Sequence, residues 1–577
     1  MTLPWLSAFV TALAARDTAA AAALFHPDGA WRDLAAFTWN IHTAEGPGPI
    51  TAMLEATLST TAPTAWAETG APEQDGPLTH HDFAFSTATA SCRARLTLRG
   101  EKAQSLMTAI DDITGHEESR GLTRPRGTTH RASRSRMTWT ESRARRQETL
   151  PDSLHTLIIG GGQGGIALAA RLKSLSVPAL VVERNPRAGD SWRNRYRSLV
   201  LHDPVWYDHL PYIPFPDTWP VFTPKDQMGD WLEAYVQALD LDYWTATRAI
   251  RARHTGTHWE VTLDRDGTET LLRPRELVIA TGAYGPPNRP DWPGSYTGTL
   301  LHSADYRGAA PFAGKRAVVV GCGSSAHDIA LDLWEGGAAV TMVQRRAGIV
   351  VRSETLMDLA FSTYSEEALA SGITTDIADW RSAATPFSHF AADQRALYAR
   401  IREIDAPFYT ALARAGFLLD FGEDDTGLMM RALRTASGYY IDVGASQLII
   451  DGQIRIASGA GVTALSETGA ILSDGRHLEA DVIIACTGYQ TMSAVLSDLI
   501  SPVAAATVGP CWGLGSGIPG DPGPWQGELR NMWKPTAIPH LWFHGGNLAL
   551  SRFYSRTLAL QLKARALGLP TPVYSGL

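Results

Sequence analysis

The sequence predicts an α/β protein in which two parallel-sheet dinucleotide-binding domains follow a small α+β domain. Two observations predict the larger part. GGGQGG at Gly160 to Gly165 and GCGSSA at Gly321 to Ala326 each follow a short apolar run and open a helical pattern. That context separates a Rossmann-type nucleotide loop from an ordinary glycine turn. A third observation predicts the remainder: residues 1–145 carry Ala-rich helical stretches and then Thr/Ala-rich alternating strands, a pattern unlike that of residues 150–577.

In the first loop, Leu157, Ile158 and Ile159 read as a buried strand and Ile166 to Leu175 as an Ala/Leu-rich helix, with Gly160, Gly162 and Gly165 on the fingerprint positions. The helix N-terminus offers unpaired amides and a positive dipole end to a pyrophosphate, and Gly162 lacks the side chain that would block close approach. The strand Ala179 to Val182 ends in Glu183, the acid that bonds ribose hydroxyls about twenty residues past such a loop. An acid there favours an adenosine with a free 2′-hydroxyl, as in FAD.

The second loop repeats the plan with different chemistry. Val318 to Val320 is the strand, Gly321, Gly323 and Ala326 hold the fingerprint, and Val340 to Val343 runs into Gln344, Arg345 and Arg346. Guanidinium groups match phosphate oxygens in a planar fork, so the pair predicts the 2′-phosphate of NADPH over NADH. Solvated surface charge is the alternative reading of both arginines. Two such loops in one chain suggest a flavin reduced by a nicotinamide.

Composition agrees with a large soluble enzyme: 577 residues, 44% hydrophobic, 19% charged, formal net charge −8. The length suggests several domains, and the mild acidity gives no reason to expect nucleic acid. The boundaries read as 1–145, 150–299, 300–485 and 486–577, the last returning to the first dinucleotide domain. Cys92, Cys322, Cys486 and Cys511 form no CxxC and no ligand spacing, so neither a disulfide framework nor a metal site is expected, and a reducing, cytoplasmic home fits. The apolar N-terminus lacks a basic leader and is interrupted by Arg16 and Asp17, so no membrane span is expected. Residues Arg120 to Arg146 are arginine-dense and read as a solvated face or an interdomain contact.

Helices, then FHPDGAWRDL, then strands such as Phe83 to Ala90 and Ala94 to Leu98 resemble the SnoaL-like, nuclear-transport-factor cone. His26, Asp28, Asp33 and His42 are its polar pocket candidates, with loop and cap roles as the plainer reading. A separate lyase or isomerase activity, or assembly, are the functions such a cone implies.

Residues 150–577 carry further motifs in order. GDSWRNRYRSLVLHDPVWYDHLPYIPFP (Gly189 to Pro216), FTPKDQMGDWLEAYV, LVIATGAYGPPNRPDWPG (Leu277 to Gly294) and DVIIACTGY (Asp481 to Tyr489) resemble the flavin-contacting and crossover segments of class B flavin-containing monooxygenases. YTGTLLHSADY places Tyr296, Gly298, His302 and Tyr306 on that family's fingerprint FxGxxxHxxx(Y/F/W), with Tyr for the leading Phe. IDVGASQLIIDGQIRI and LHDP (Leu201 to Pro204) are similar to YUCCA-type indole-3-pyruvate monooxygenases.

The resemblance implies FAD and NADPH as cofactors. Besides the loop glycines, Glu183 and the arginine pair, it implies cofactor contacts from Gln163, Arg184, Trp192, His202, Thr281, Ser324, Ser325, Thr487, Gly488, Gly546 and Asn547. Gly545 to Asn547 precede an apolar helix whose end would stabilise electron density on the flavin. His202 stands where animal-type members have asparagine and YUCCA-type members share the histidine. His202 and His302 are the catalytic candidates, with loop packing and a domain hinge as their respective alternatives.

The implied reaction inserts one atom of dioxygen into a small organic substrate through a flavin hydroperoxide kept in a dry pocket. Residues 353–440, rich in Leu, Phe, Tyr and Trp, fall where family members line the entrance, so an apolar or aromatic substrate is expected. An indole-3-pyruvate-like 2-oxo acid is the leading candidate. N- or S-oxygenation, or an NADPH oxidase yielding hydrogen peroxide, are the alternatives. Arg307 after Tyr306 disfavours lactone formation, and the absent CxxC counts against a disulfide reductase. A homodimer stays open.

Overall fold

The computed structural model describes residues 3–127, 130–282, 284–521 and 523–576. Two five-stranded, all-parallel sheets form its centre. The first runs Tyr243–Trp244, Ala179–Val182, Thr156–Ile159, Glu276–Ile279, Leu541–Phe543. The second runs Thr299–His302, Val482–Ala485, Arg316–Val320, Ala339–Gln344, Arg455–Ser458. Helices cover both faces of such sheets, which is why their strands read as unbroken apolar runs. In each sheet the glycine loop leaves the central strand where the strand order reverses, the crevice in which open α/β sheets bind ligands.

Each loop helix starts earlier than the sequence pattern suggests. The first is Gln163–Ser174, not Ile166 to Leu175, and the second begins at Ser324. Gly164 and Gly165 look like loop residues but lie inside the helix, because each permits a close approach: a Cβ on Gly165 would stand 2.0 Å from the Gly160 carbonyl, and one on Gly164 would stand 3.2 Å from the Gly545 Cα.

The chain passes between the sheets twice. Tyr284–Pro287, on the way out, pairs antiparallel with Tyr489–Thr491, on the way back. In the crossover segment Leu277 to Gly294, Ala283 lies outside the described residues. Between them, residues 353–435 form helices, including Thr375–Ala383, Phe387–Ile404 and Gly427–Thr435, closed at the base by the strand pair Ile349–Arg352 and Tyr439–Asp442. The C-terminal helix Leu548–Ala566 then packs on Gln163–Ser174 and is buried along most of its length.

The N-terminal region is α+β. Helices Pro4–Ala14, Thr18–Ala23 and Pro47–Thr61 accompany a sheet ordered Ile41–Glu45, Phe25–Leu34, Lys102–Ile113, Ala90–Arg99, Leu78–Ser86, Thr64–Glu68, with Glu73–Asp75 also on Leu78–Ser86. FHPDGAWRDL is itself a strand. The expected strand Phe83 to Ala90 instead crosses a hairpin turn at residues 87–89, where the Thr87 hydroxyl bonds the backbone of Ala90.

Aromatic rings fill the space between helices and sheet. Trp5 stacks on Phe9 at 4.7 Å, Trp31 meets Phe37 at 5.0 Å, and Trp66 stacks on Phe85 at 4.1 Å. Asp33 is fully buried in strand, where it accepts from Thr38 and Thr108 hydroxyls, both at 2.6 Å, and from the amides of Phe37 and Thr38. His26 bonds the Arg99 carbonyl, Asp28 pairs with Arg99 at the rim, and His42 lies against Tyr574. The four candidates therefore do not converge on one pocket.

Residues 119–127 and 130–142 are exposed, while Arg143 and Arg146 of the helix Trp139–Ser153 bind Asp240. Among the described residues no helix is long and apolar enough to cross a membrane.

Candidate functional site

The three glycines of the first loop have separate tasks. Gly160 has φ +110° and no room for a Cβ, which would stand 2.4 Å from the Ala280 carbonyl, and Gly165 sets the helix-to-sheet distance. Gly162 is different: a Cβ there would meet nothing nearer than the Ser191 hydroxyl at 3.6 Å. The space before this helix N-terminus is open, as a pyrophosphate requires. Glu183 is buried beside the loop, with Oε2 accepting the Gly161 amide at 2.8 Å and Oε1 accepting the amide and side chain of Asn185. Oε2, with one bond accepted, keeps a second lone pair for a ribose hydroxyl. Arg184 points to solvent, and Thr281 lies exposed beside Gly160.

Distant segments meet at the start of this helix. Trp192 donates to Gln163 Oε1 at 3.2 Å, and Gln163 Nε2 donates to the Gly546 carbonyl at 3.4 Å. Gly546, at φ +109°, turns the chain into the C-terminal helix, which Asn547 caps by accepting the Leu550 amide at 3.0 Å. Asn547 Nδ2 donates to the Tyr207 hydroxyl at 3.1 Å. Two helix N-termini thus face one space, a field that favours an electron-rich ring.

In the second loop a Cβ on Gly321 would stand 2.6 Å from the Cys486 carbonyl, while Gly323 faces only the Tyr439 carbonyl at 3.6 Å. Ser324 Oγ donates to that carbonyl at 3.0 Å, and Ser325 is half-buried. Gln344 is fully buried and exchanges hydrogen bonds with the backbone of Leu418. The next two residues, Arg345 and Arg346, are exposed, and among the described residues neither guanidinium makes an ion pair. No carboxylate occupies the place where Glu183 stands in the first loop, so a phosphate there meets no like charge.

His202 and His302 lie in different surroundings. His202 Nε2 is 3.6 Å from Oδ1 of Asp328, on the helix of the second loop, and Asp328 Oδ2 accepts from Tyr196 at 2.5 Å. His202 thus brings the segment after the first loop against the helix of the second loop. His302 ends its strand, accepts the Ala304 amide at Nδ1 and lies edge-on to Tyr489 at 5.4 Å. Thr487 Oγ1 donates to the Asn288 carbonyl at 2.6 Å, and the Gly488 carbonyl accepts the Asn288 amide at 2.9 Å. His302, Thr487 and Gly488 thus gather at the paired crossovers, apart from the Gln163–Asn547 cluster.

Sequence reasoning missed a buried charge cluster inside WYDHLP. Arg552 binds Asp379 through two bonds of 2.8 and 2.7 Å and donates to the carbonyls of Tyr207 and His209. Between those carbonyls, Asp208 is 1% exposed and its Oδ2 has no partner. Burial, reinforced by the Asp203 charge, holds its carboxyl well above the usual range, and burial pushes Asp203 up to about 6. The motif is visible in the sequence, but nothing local distinguishes its acids from solvated turn residues.

The folded chain therefore keeps a proton on Asp208 that the unfolded chain releases. This costs nothing below the ordinary carboxylate range and costs stability as pH rises from there to the folded pKa. Asp208→Asn should raise the melting temperature by about 2 °C near pH ~8 and leave it unchanged near pH ~3. Equal shifts in calorimetry at both pH values would refute a held proton.

All four cysteines are free, and burial raises the Cys92, Cys486 and Cys511 thiols far from nucleophilic range. They offer no redox pair.

Two parallel-sheet nucleotide folds joined by paired crossovers define a flavoprotein oxidoreductase that draws on a nicotinamide. A family model described as pyridine nucleotide-disulphide oxidoreductase matches residues 157–386. Indole-3-pyruvate monooxygenase YUCCA1 of Oryza sativa subsp. japonica is 31% identical over 358 residues, 60% of this chain and 79% of the relative. Probable indole-3-pyruvate monooxygenase YUCCA9 of Arabidopsis thaliana is 29% identical over 343 residues, 58% of this chain and 75% of the relative. A cyclohexanone monooxygenase structure with bound epsilon-caprolactone shares the fold at 16% identity and a TM-score of 0.51, covering 72% of this chain and 88% of that one. The chain belongs to the flavin-dependent monooxygenase family.

Proposed function

We propose that the protein uses FAD and NADPH to place one atom of dioxygen into a small apolar or aromatic molecule, the other atom leaving as water. The observation that carries this reading is the convergence of Gln163, Trp192, Gly546, Asn547 and Tyr207 on the open cradle before Gly162. FAD, when bound, accepts hydride from NADPH and supplies the chemistry that activates dioxygen.

The chain's own residues bind, orient and exclude. The amide ends at Gly162 and Gly323 hold pyrophosphates, Glu183 orients a ribose, and Arg345 with Arg346 select the 2′-phosphate. The helix end capped by Asn547 stabilises charge on the bound ring. The helices of residues 353–435 shield the site from water, and His202, 3.6 Å from Asp328, is the catalytic candidate that contact with both folds supports.

An indole-3-pyruvate-like 2-oxo acid, oxidised to the shortened acid with loss of carbon dioxide, is the substrate that the named relatives favour. A second reading, N- or S-oxygenation of a neutral or cationic molecule, is favoured by the charge cluster. Asp208 keeps its proton and brings no charge of either sign, and Arg552 already spends four of its five N–H groups, so a carboxylate substrate finds no free cation there.

The test is anaerobic bleaching by NADPH, then mixing with oxygen and either indole-3-pyruvate or an aromatic amine or sulfide. Product formed with each NADPH identifies the class. Stoichiometric hydrogen peroxide with all of them would make the protein an NADPH oxidase and refute the proposal.

A further inference from the structure

Among the contacts that join the N-terminal region to the catalytic core, one is a buried guanidinium. Arg32 is 1% exposed, yet it reaches three separate elements of the core. Its Nε and Nη2 donate to both oxygens of Glu528, at 2.6 and 2.8 Å, in the segment that leads to the last strand of the first sheet. Nη2 also donates to the Tyr554 hydroxyl of the C-terminal helix at 2.8 Å, and Nη1 to the Ala383 carbonyl of the helical insertion at 2.5 Å. Thr43, on the neighbouring N-terminal strand, gives Glu528 a further bond of 2.7 Å.

Such a network is a poor means of simple docking. A buried ion pair recovers little more than its desolvation cost, and apolar residues of equal volume would hold the surfaces as well. What a forked guanidinium with four of its five N–H groups bonded adds is fixed geometry.

That geometry continues toward the turn before the C-terminal helix. The Tyr554 ring stacks on Trp533 at 4.0 Å and 7°, and Trp533 Nε1 donates to the Gly545 carbonyl at 3.2 Å. Trp512, in the segment that carries Glu528, lies against Gly546, where a Cβ would be 3.5 Å from its ring. Arg32 therefore bears on both glycines of the turn that Gln163 and Asn547 share.

We propose that the N-terminal region is a positioning domain for the flavin site, with Arg32 setting the Gly545–Gly546 turn through Tyr554 and Trp533 on one side and Glu528 and Trp512 on the other. Its interior, filled by its own tryptophans and phenylalanines, serves to hold Arg32 still. This rests on the FAD reading above. Arg32, Glu528, Tyr554 and Trp533 are positioning residues and touch no reacting atom.

The experiment compares the flavin-loaded full-length protein with Tyr554→Phe, which keeps the ring stack and loses one hydroxyl, and with Glu528→Gln. Visible circular dichroism of the bound flavin, hydrogen peroxide released per NADPH, and melting temperature are recorded for each. Arg381→Gln, which weakens another contact between the same regions, Arg381 to Glu73, is the control.

The expected result is an altered flavin dichroism and a rise of about fivefold in peroxide yield, the scale of one lost hydrogen bond, in both variants at unchanged flavin content, with the control like wild type. An unaltered spectrum and yield in folded, flavin-loaded Tyr554→Phe would overturn the proposal. So would an equal change in the control, since any loosening of the interface would then suffice. Tyr554→Phe decides the matter alone if Glu528→Gln does not fold. A wild-type protein that binds no flavin would defeat the FAD reading itself, whereas a yellow wild type with unresponsive variants defeats only the positioning role.

Discussion

Gly162→Leu should give a folded, colourless protein. Gly162 has φ −76°, a conformation any residue adopts, and the protein around it leaves a Cβ clear to 3.6 Å. Leucine there meets little resistance from the chain and instead fills the cradle in which the pyrophosphate must lie within hydrogen-bond distance of the helix amides. Loss of essentially all bound flavin, with far-UV circular dichroism and melting behaviour of the apoprotein preserved, is the expected outcome. A yellow variant would show that the first loop does not hold the cofactor. Gly165→Leu makes the contrast, because a Cβ 2.0 Å from the Gly160 carbonyl forces strand and helix apart, and that variant should be insoluble whether or not flavin is supplied.

Arg345→Ala and Arg346→Ala together should turn an NADPH enzyme into one nearly indifferent between NADPH and NADH. Each guanidinium to phosphate contact contributes about 1.5–3 kcal/mol, so KM for NADPH should rise about ten- to hundredfold per arginine engaged. NADH, lacking the phosphate, should change by less than about twofold. Both side chains are exposed while Gln344 is pinned beneath them, so the substitutions remove charge without disturbing the strand. Steady-state kinetics with both nucleotides checks this, and parallel losses for NADPH and NADH would assign the arginines to the surface.

Much of this site is legible in the sequence because its chemistry is local. A glycine at φ +110° packed on a neighbouring carbonyl, or one left open before a helix, is demanded by a few consecutive residues, so the strand, loop and trailing acid or arginine appear together in the sequence. The helix starts are misplaced for the same reason, since glycines that pack a helix on a sheet are indistinguishable in sequence from glycines of a turn. The turn at residues 87–89 is hidden because Thr and Ala alternate across it as they do in a strand. Arg32 and Glu528 are 496 residues apart, and nothing beside either one signals the other. Asp208 is equally opaque, because its burial is imposed by Arg552 gripping the carbonyls on both sides of it.

The arginine-dense stretch before the first dinucleotide fold is exposed over residues 119–127 and 130–142, whereas the contacts that hold the N-terminal region come from Arg32, Thr43, Glu73 and Asp111 on its strands. The covalent tether and the adhesive surface are thus different parts of the chain. A trypsin cut within the tether would produce two fragments on a denaturing gel and one particle on a sizing column. In genetic terms, the two halves could be encoded as separate chains and still assemble.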